Sequence, residues 1–183
     1  MVNATLIKEL KKIVGDDYVM HHADELLVFQ YDGSTDKAIP DVVVFPKSAQ
    51  EISSIVIIAK RYDQYIIPRG AGTGLSGGAV PMYGGIELVL TRMNSILSID
   101  RENRLALVEP GVVNLDLSKY VAYMGLFYAP DPSSQISCTI GGNIAENSGG
   151  PHCLKYGVTT NHVFACEIVT ENGEIIWLGD KFR

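Results

Sequence analysis

Asp41-Val42-Val43-Val44-Phe45 and Tyr65-Ile66-Ile67, with Pro46 and Ser48-Ala49-Gln50-Glu51 between them, decide how this chain folds. The first run is continuous, apolar and β-branched, the pattern of a strand covered on both faces. Pro46 closes it. Ser48 and Glu51 stand at capping-box spacing, each able to satisfy a free N–H at a helix start. A helix follows, with Ile52, Ile55, Val56 and Ala59 on one face. Residues 41–67 therefore read as a β-α-β unit with parallel strands and a right-handed crossover.

Upstream, Asn3 caps a helix whose stripe is Leu6, Ile7, Leu10, Ile13 and Val14, and Gly15 ends it. Downstream, Ile86 to Leu90, Ile96 to Ile99 and Leu105 to Val108 read as short strands. Asn114 is placed to cap a third helix, with Leu117, Tyr120, Val121 and Met124 inward and Gly125 at its end. Residues 130–162 are polar, Gly-rich and without period. Val163 to Thr170 and Glu174 to Leu178 form a hairpin about the Asn172-Gly173 turn signal. The expected class is α+β in two small lobes, about 1–80 and about 81–183, a β-α-β lobe and a mixed or antiparallel one. The second lobe reads as incomplete, because Asp180-Lys181-Phe182-Arg183 brings no closing element.

Composition narrows the function. The 183 residues carry 15 Lys+Arg against 21 Asp+Glu, a net charge of −6, with 46% hydrophobic and 20% charged residues. That is a globular balance, in a chain long enough to bury its own core. An acidic surface argues against nucleic-acid binding and gives no anchor for anionic membranes. Cys138, Cys153 and Cys166 form no CxxC pair, so no local zinc or iron–sulfur motif exists. Reduced thiols in a cytoplasmic protein are expected, with Cys138 and Cys153 unreactive. The N-terminus meets Lys8, Glu9, Lys11 and Lys12 too early for a signal peptide. No apolar run approaches the roughly 20 residues of a membrane helix.

Seven of the 18 glycines fall between Gly70 and Gly85, and six more between Gly125 and Gly157. The first zone holds Pro68-Arg69-Gly70-Ala71-Gly72-Thr73-Gly74-Leu75-Ser76-Gly77-Gly78. Gly72, Gly74 and Gly77 match G-x-G-x-x-G, but Pro81, Gly84 and Gly85 prevent the helix a Rossmann motif needs. No Gly-Lys-Ser/Thr is present for a Walker loop. Successive amides in such a loop can instead form an anion nest, with Thr73 and Ser76 as neutral donors and Arg69 as the one cation. A tight-turning loop that binds nothing is the plainer alternative. In the second zone only Asp131, Glu146 and Lys155 are charged from Gly125 to Cys166. Its hydroxyls and amides suit a large ligand rich in acceptors; an ordinary surface loop is the alternative. His152 and His162 lie here and read as loop-packing histidines rather than bases.

The first zone, Pro130-Asp131-Pro132-Ser133-Ser134, and the run from Ile140-Gly141-Gly142-Asn143-Ile144-Ala145-Glu146-Asn147-Ser148 through Lys155-Tyr156-Gly157 to Val163 together resemble the FAD-linked oxidases, the superfamily of vanillyl-alcohol oxidase and p-cresol methylhydroxylase. The likeness is strongest to the D-subunit branch of the glycolate oxidases and extends over essentially the whole chain. It implies a PCMH-type domain with FAD held between its lobes. By the same likeness Arg69, Gly70, Ala71, Gly72, Thr73, Gly74 and Leu75 serve the pyrophosphate. Ser137, Thr139, Gly142, Ala145, Asn147 and Ser148 would line the flavin and its phosphates. Asp131, Asn143 and Gly157 fall in the same motifs, and Glu109-Pro110-Gly111-Val112 resembles the family's turn near the cofactor. Relatives that bind FAD covalently have a histidine where this loop has Thr73, so the cofactor is expected to be non-covalent. The family's Glu-Gly-Thr-Leu-Gly-type strand and its cap, with the metal-binding and base histidines, have no counterpart here. No catalytic residue and no metal site is therefore assigned.

The implied function is the FAD-binding portion of a 2-hydroxy-acid oxidoreductase acting on a glycolate- or D-lactate-like substrate, inactive alone. Hydride passes from the substrate Cα to flavin N5 in the complete enzyme. The hydroxy acid belongs to that complete enzyme, and other oxidase subunits or a second copy are the expected protein partners. Two alternatives stand beside it: a non-catalytic FAD- or nucleotide-holding subunit that needs a partner chain, and a cofactor-free domain.

Overall fold

The computed structural model describes residues 3–179, so Asp180–Arg183, where no closing element was read, lie outside the described residues. In chain order the elements are α1 (Ala4–Val14), β1 (Val19–Met20), α2 (Ala23–Leu26), β2 (Val42–Val44), α3 (Ala49–Arg61), β3 (Ile66–Arg69), β4 (Ile86–Val89), β5 (Ile96–Asp100), β6 (Leu105–Val108), α4 (Asn114–Ala122), α5 (Ile140–Glu146), α6 (Cys153–Tyr156), β7 (Ala165–Val169) and β8 (Ile175–Gly179). They form two compact units. One takes residues up to Arg92 together with those from Phe164 onward, and the other takes Met93–Val163.

The first unit is built on a sheet of order β1-β2-β4-β3. β2 and β3 are parallel, as read, but both pair with β4, which lies between them, and β1 adds an antiparallel edge to β2. All four residues of β4 are buried, so it takes the centre. Alternation sorts the side chains. Val42, Val44, Ile86 and Leu88 pack with Leu6 and Leu10 of α1 and Ile55, Ile58 and Ala59 of α3. Val43 and Val89 cluster on the other face with Leu26, Phe29 and Phe45.

Local chemistry sets the helix ends. The Asn3 side chain accepts from Thr5 N at 2.8 Å, and Ser48 Oγ accepts from Glu51 N at 3.2 Å. The Glu51 carboxylate accepts from Lys47 N at 2.8 Å, one residue earlier than the expected box. Glu9 joins α1 to α3, taking Tyr62 Oη at 2.8 Å and Arg61 at 3.0 Å. The β7–β8 hairpin forms in antiparallel register about the Asn172-Gly173 turn. It returns to α3, where Lys60 Nζ donates to Asn172 Oδ1 at 2.6 Å and the Ser53 hydroxyl donates to the Gly173 carbonyl.

The second unit holds the β5–β6 hairpin, α4, α5 and α6 over a core of Val112, Leu117, Val121 and Ile140. Three expectations are corrected here. Val113, not Asn114, occupies the cap of α4; Asn114 is buried in the first turn, with Nδ2 donating to Pro130 O at 3.0 Å. Tyr120 points outward and meets Tyr123 edge-on, ring centroids 6.5 Å apart. The stretch 130–162 is not structureless, since it contains α5 and α6. α5 forms despite Gly141 and Gly142 because Thr139 caps it and Ile140 and Ile144 join the core. Among the described residues no helix is long and apolar enough to cross a membrane.

Leu10 is fully buried between α1 and the sheet. Leu10→Ala is expected to cost about 2–5 kcal/mol through the cavity it leaves. Thermal denaturation followed by circular dichroism should show a melting point lower by roughly 2–4 °C for each kcal/mol.

Candidate functional site

The sequence-predicted residues fall into two groups, one in each unit. In the first unit, β3 runs two residues past its expected end and delivers Arg69 at its last position, immediately before the glycine loop. The guanidinium turns inward and is 8% exposed. It donates to Glu87 Oε1 at 2.9 Å, Tyr31 O at 2.8 Å and Phe29 O at 3.4 Å, and it lies 5.7 Å from the Phe29 ring centroid. Its charge is thus satisfied inside the protein.

Gly72 rests on that guanidinium. Its φ is +67°, and a Cβ there would collide with Arg69 Nη2. Gly33 N donates to Gly74 O at 2.8 Å, so the 29–34 segment grips the loop from a second side. Gly70, Thr73 and Gly74 are half-buried, and Ala71 and Leu75 are exposed, Leu75 at 80%. Among the described residues, none of the N–H groups of residues 71–78 donates to a protein acceptor. A row of unspent neutral donors in a partly exposed loop is what an oxyanion-rich ligand requires.

The second unit gathers its candidates around α5. The turn at Glu109–Val112 lies against the start of that helix: Gly141 N donates to Pro110 O at 2.8 Å, and buried Gly111 donates to Met93 O at 2.7 Å. A Cβ on Gly141 would stand 2.7 Å from Pro110 Cβ, so only glycine permits this approach. Thr139 is buried, with Oγ1 accepting from Gly142 N at 3.4 Å. Asn143 is also buried, its carbonyl accepting from Ser148 N at 2.9 Å while its Nδ2 has no partner. Asn147 ends α5 in a left-handed conformation and accepts Thr160 N at 3.0 Å on its side chain. Ser148 O receives both the N–H and the hydroxyl of Thr159. Ala145 and Ser137 are exposed.

Two candidates lie apart from that cluster. Asp131 accepts from His152 N at 3.0 Å and pairs with the His152 ring at 3.2 Å. Gly157 closes α6 beside Asn161. His162 Nε2 lies 3.0 Å from Tyr156 O, so both histidines serve loop contacts.

Burial dominates the ionisation of this region. It pushes the Cys138 thiol up, and it pushes the Tyr128 hydroxyl to about 12. It also drives the Glu87 carboxyl to about 7 against the opposing pull of Arg69. Among the described residues, no group of three or more His, Cys, Asp or Glu could hold a metal ion. The sequence reading missed Glu87, Asp32, Gly33 and Thr159. The only local signal was the Asp32-Gly33-Ser34 turn composition, and Glu87 sits inside an otherwise apolar strand.

Residues 40–179 match the model of a family described as FAD binding domain. Glycolate oxidase subunit GlcD of Escherichia coli (strain K12) is 44% identical over 176 residues, 96% of this chain and 35% of that protein. D-2-hydroxyglutarate dehydrogenase of Stutzerimonas stutzeri (strain A1501) is 36% identical over 97% of this chain and 39% of its own length. The chain thus spans little more than a third of these relatives. Among solved structures, alkyldihydroxyacetonephosphate synthase superposes with a TM-score of 0.87 at 26% identity, covering 97% of this chain and 34% of that one. p-Cresol methylhydroxylase shares the fold, with a TM-score of 0.79 at 23% identity over 94% of this chain and 34% of that one.

Gly141→Ala should force Pro110 away from α5 at a cost of about 1–3 kcal/mol, as overpacking at a close backbone approach does. A lowered melting point with unchanged far-ultraviolet circular dichroism is the expected result.

Proposed function

The chain belongs to the FAD binding domain family, and on that premise we propose that it is the FAD-holding part of a flavin-dependent 2-hydroxy-acid oxidoreductase. The observation that carries this reading is the loop at residues 71–78, whose amides have no acceptor within the described protein. With its one cation already paired, this loop offers a diphosphate neutral donors only. Residues 70–75 would hold the diphosphate, with Arg69 shaping the loop from beneath. In the second unit, the group around α5, with Thr139, Gly142, Asn143, Ala145, Asn147 and Ser148, together with Ser137 and the Pro110–Gly111 turn, offers further candidate cofactor contacts. Asp131 and Gly157 would shape the loops that carry it.

FAD, when bound, supplies hydride acceptance from the Cα of a hydroxy acid. This chain's own contribution is binding, orientation and exclusion of water. Thr73 has no ring nitrogen to form a bond to flavin, so FAD is held non-covalently. The substrate class follows the names of the relatives, which span glycolate and D-2-hydroxyglutarate. Other oxidase subunits are proposed partners because the first of those relatives is itself named a subunit. A cytoplasmic location is part of the same proposal.

Purified protein should be yellow, and acid precipitation should release all of its flavin into the supernatant. Glycolate or D-lactate should not bleach it without further chain. Gly72→Asp and Thr73→Asp should each weaken FAD binding by about 100-fold, since a carboxylate set against a diphosphate is a like-charge contact costing several kcal/mol. Unchanged affinity in both variants, with folding verified by circular dichroism, would overturn the assignment of this loop.

A further inference from the structure

Arg69 occupies the mouth of the 70–78 loop, yet none of its charge is directed outward. Its guanidinium reaches the carbonyls of Phe29 and Tyr31 in the segment that grips the loop, and that of Ala79 just after it. Glu87, fully buried on the neighbouring strand β4, holds the guanidinium at 2.9 Å. The partners are two residues out of register, since Arg69 pairs with Val89 and Ile67 pairs with Glu87. Their side chains therefore share one face of the sheet. Gly72 lies directly on the guanidinium. Both ends and the first turn of the loop thus meet one side chain.

We propose that Arg69 and Glu87 form a positioning pair, which holds the glycine loop in its ligand-accepting shape, and that Arg69 is not a phosphate-binding cation. An isolated buried ion pair contributes little net stability, and apolar residues of similar volume often serve a core equally well. What such residues could not supply is three carbonyl contacts and a platform beneath Gly72. The affinity part of the proposal rests on the reading that this loop holds FAD; the loop-order part does not.

The charged groups around Glu87 are Arg69 from β3 and, within reach of the same guanidinium, Asp32 from the 29–34 segment. Burial pushes Asp32 up, but the Ser34 hydroxyl and N–H, the Ala79 N–H and Arg69 outweigh it and keep the carboxyl below its usual range. Glu87 instead sits at about 7, against an ordinary value of 4.5. Between those values the folded chain keeps a proton that the unfolded chain has lost. The contribution of Glu87 to global stability therefore declines as pH rises through this window. The pair itself behaves oppositely, because Glu87 gains charge over the same range and grips Arg69 more firmly. Loop order and overall stability should separate with pH.

The experiment is amide hydrogen exchange over residues 70–79, with FAD titration, at about pH 6 and about pH 8, on either side of the Glu87 transition. Wild-type loop protection and FAD affinity should both rise by about tenfold toward the higher pH, the gain of one charge-assisted buried contact. Glu87→Gln should remove that rise and leave the loop at the low-pH level throughout. Arg69→Met/Glu87→Leu should fold, exchange faster across 70–79 and bind FAD more weakly at either pH. A double variant with wild-type melting, loop protection and affinity would overturn the proposal. So would a wild-type loop whose protection follows global stability across pH, a result that needs no variant to fold. Loop protection that responds as stated in a chain that never takes up FAD would refute the cofactor reading and leave the positioning pair intact.

Discussion

A main chain that keeps its N–H groups unpaired cannot hold its own shape by hydrogen bonding, so something outside it must. In residues 71–78 that support is the buried Arg69 side chain together with the 29–34 segment. Charge is placed under the backbone to shape it, and the outer surface of the loop is left to neutral amides. The β3–β4 pairing places Arg69 and Glu87 side by side, and the all-buried β4 makes that juxtaposition a dry one. Sheet register thus determines loop geometry.

Around α5 the second unit solves the same problem by other means. There the backbone is organised by a capped short helix, a proline turn packed on a glycine, and a mutual grip between Asn147, Ser148, Thr159 and Thr160. Thr139 is buried as the N-cap of α5, and Asn143 as part of that helix's buried face. Many of the polar residues that read as ligand donors therefore also hold the local fold. Only part of that set, Ser137 and Asn147, is exposed.

The sequence made most of the first unit readable because its signals are local. Val42–Val44 is uninterrupted and β-branched, Ser48 and Asn3 are strong caps, and Asn172-Gly173 is a strong turn. The insertion of β4 between β2 and β3 was hidden, because pairing order depends on contacts distant in sequence. α5 was hidden for a different reason. Two glycines in its first turn erase the propensity signal, and the Thr139 cap with the packing of Ile140 and Ile144 restores the helix. Tyr120 misled because it lies close to the apolar stripe of α4 without joining the core. At the candidate site the glycine clustering and motif order were legible. The inward turn of Arg69 was not, since nothing local distinguishes a guanidinium aimed at a ligand from one aimed at Glu87.

The C-terminal hairpin belongs with α3, although more than a hundred residues separate them, and the whole second unit is encoded in between. During synthesis, therefore, the ribosome delivers the sheet, α1 and α3 first, with the surface of α3 that will receive β7 and β8 still bare. The inserted unit, continuous in sequence, can condense as soon as it has emerged. The unit that starts before the inserted one is completed only after it, and a nascent polypeptide arrested before Phe164 would display an uncovered helix flank for chaperones to recognise.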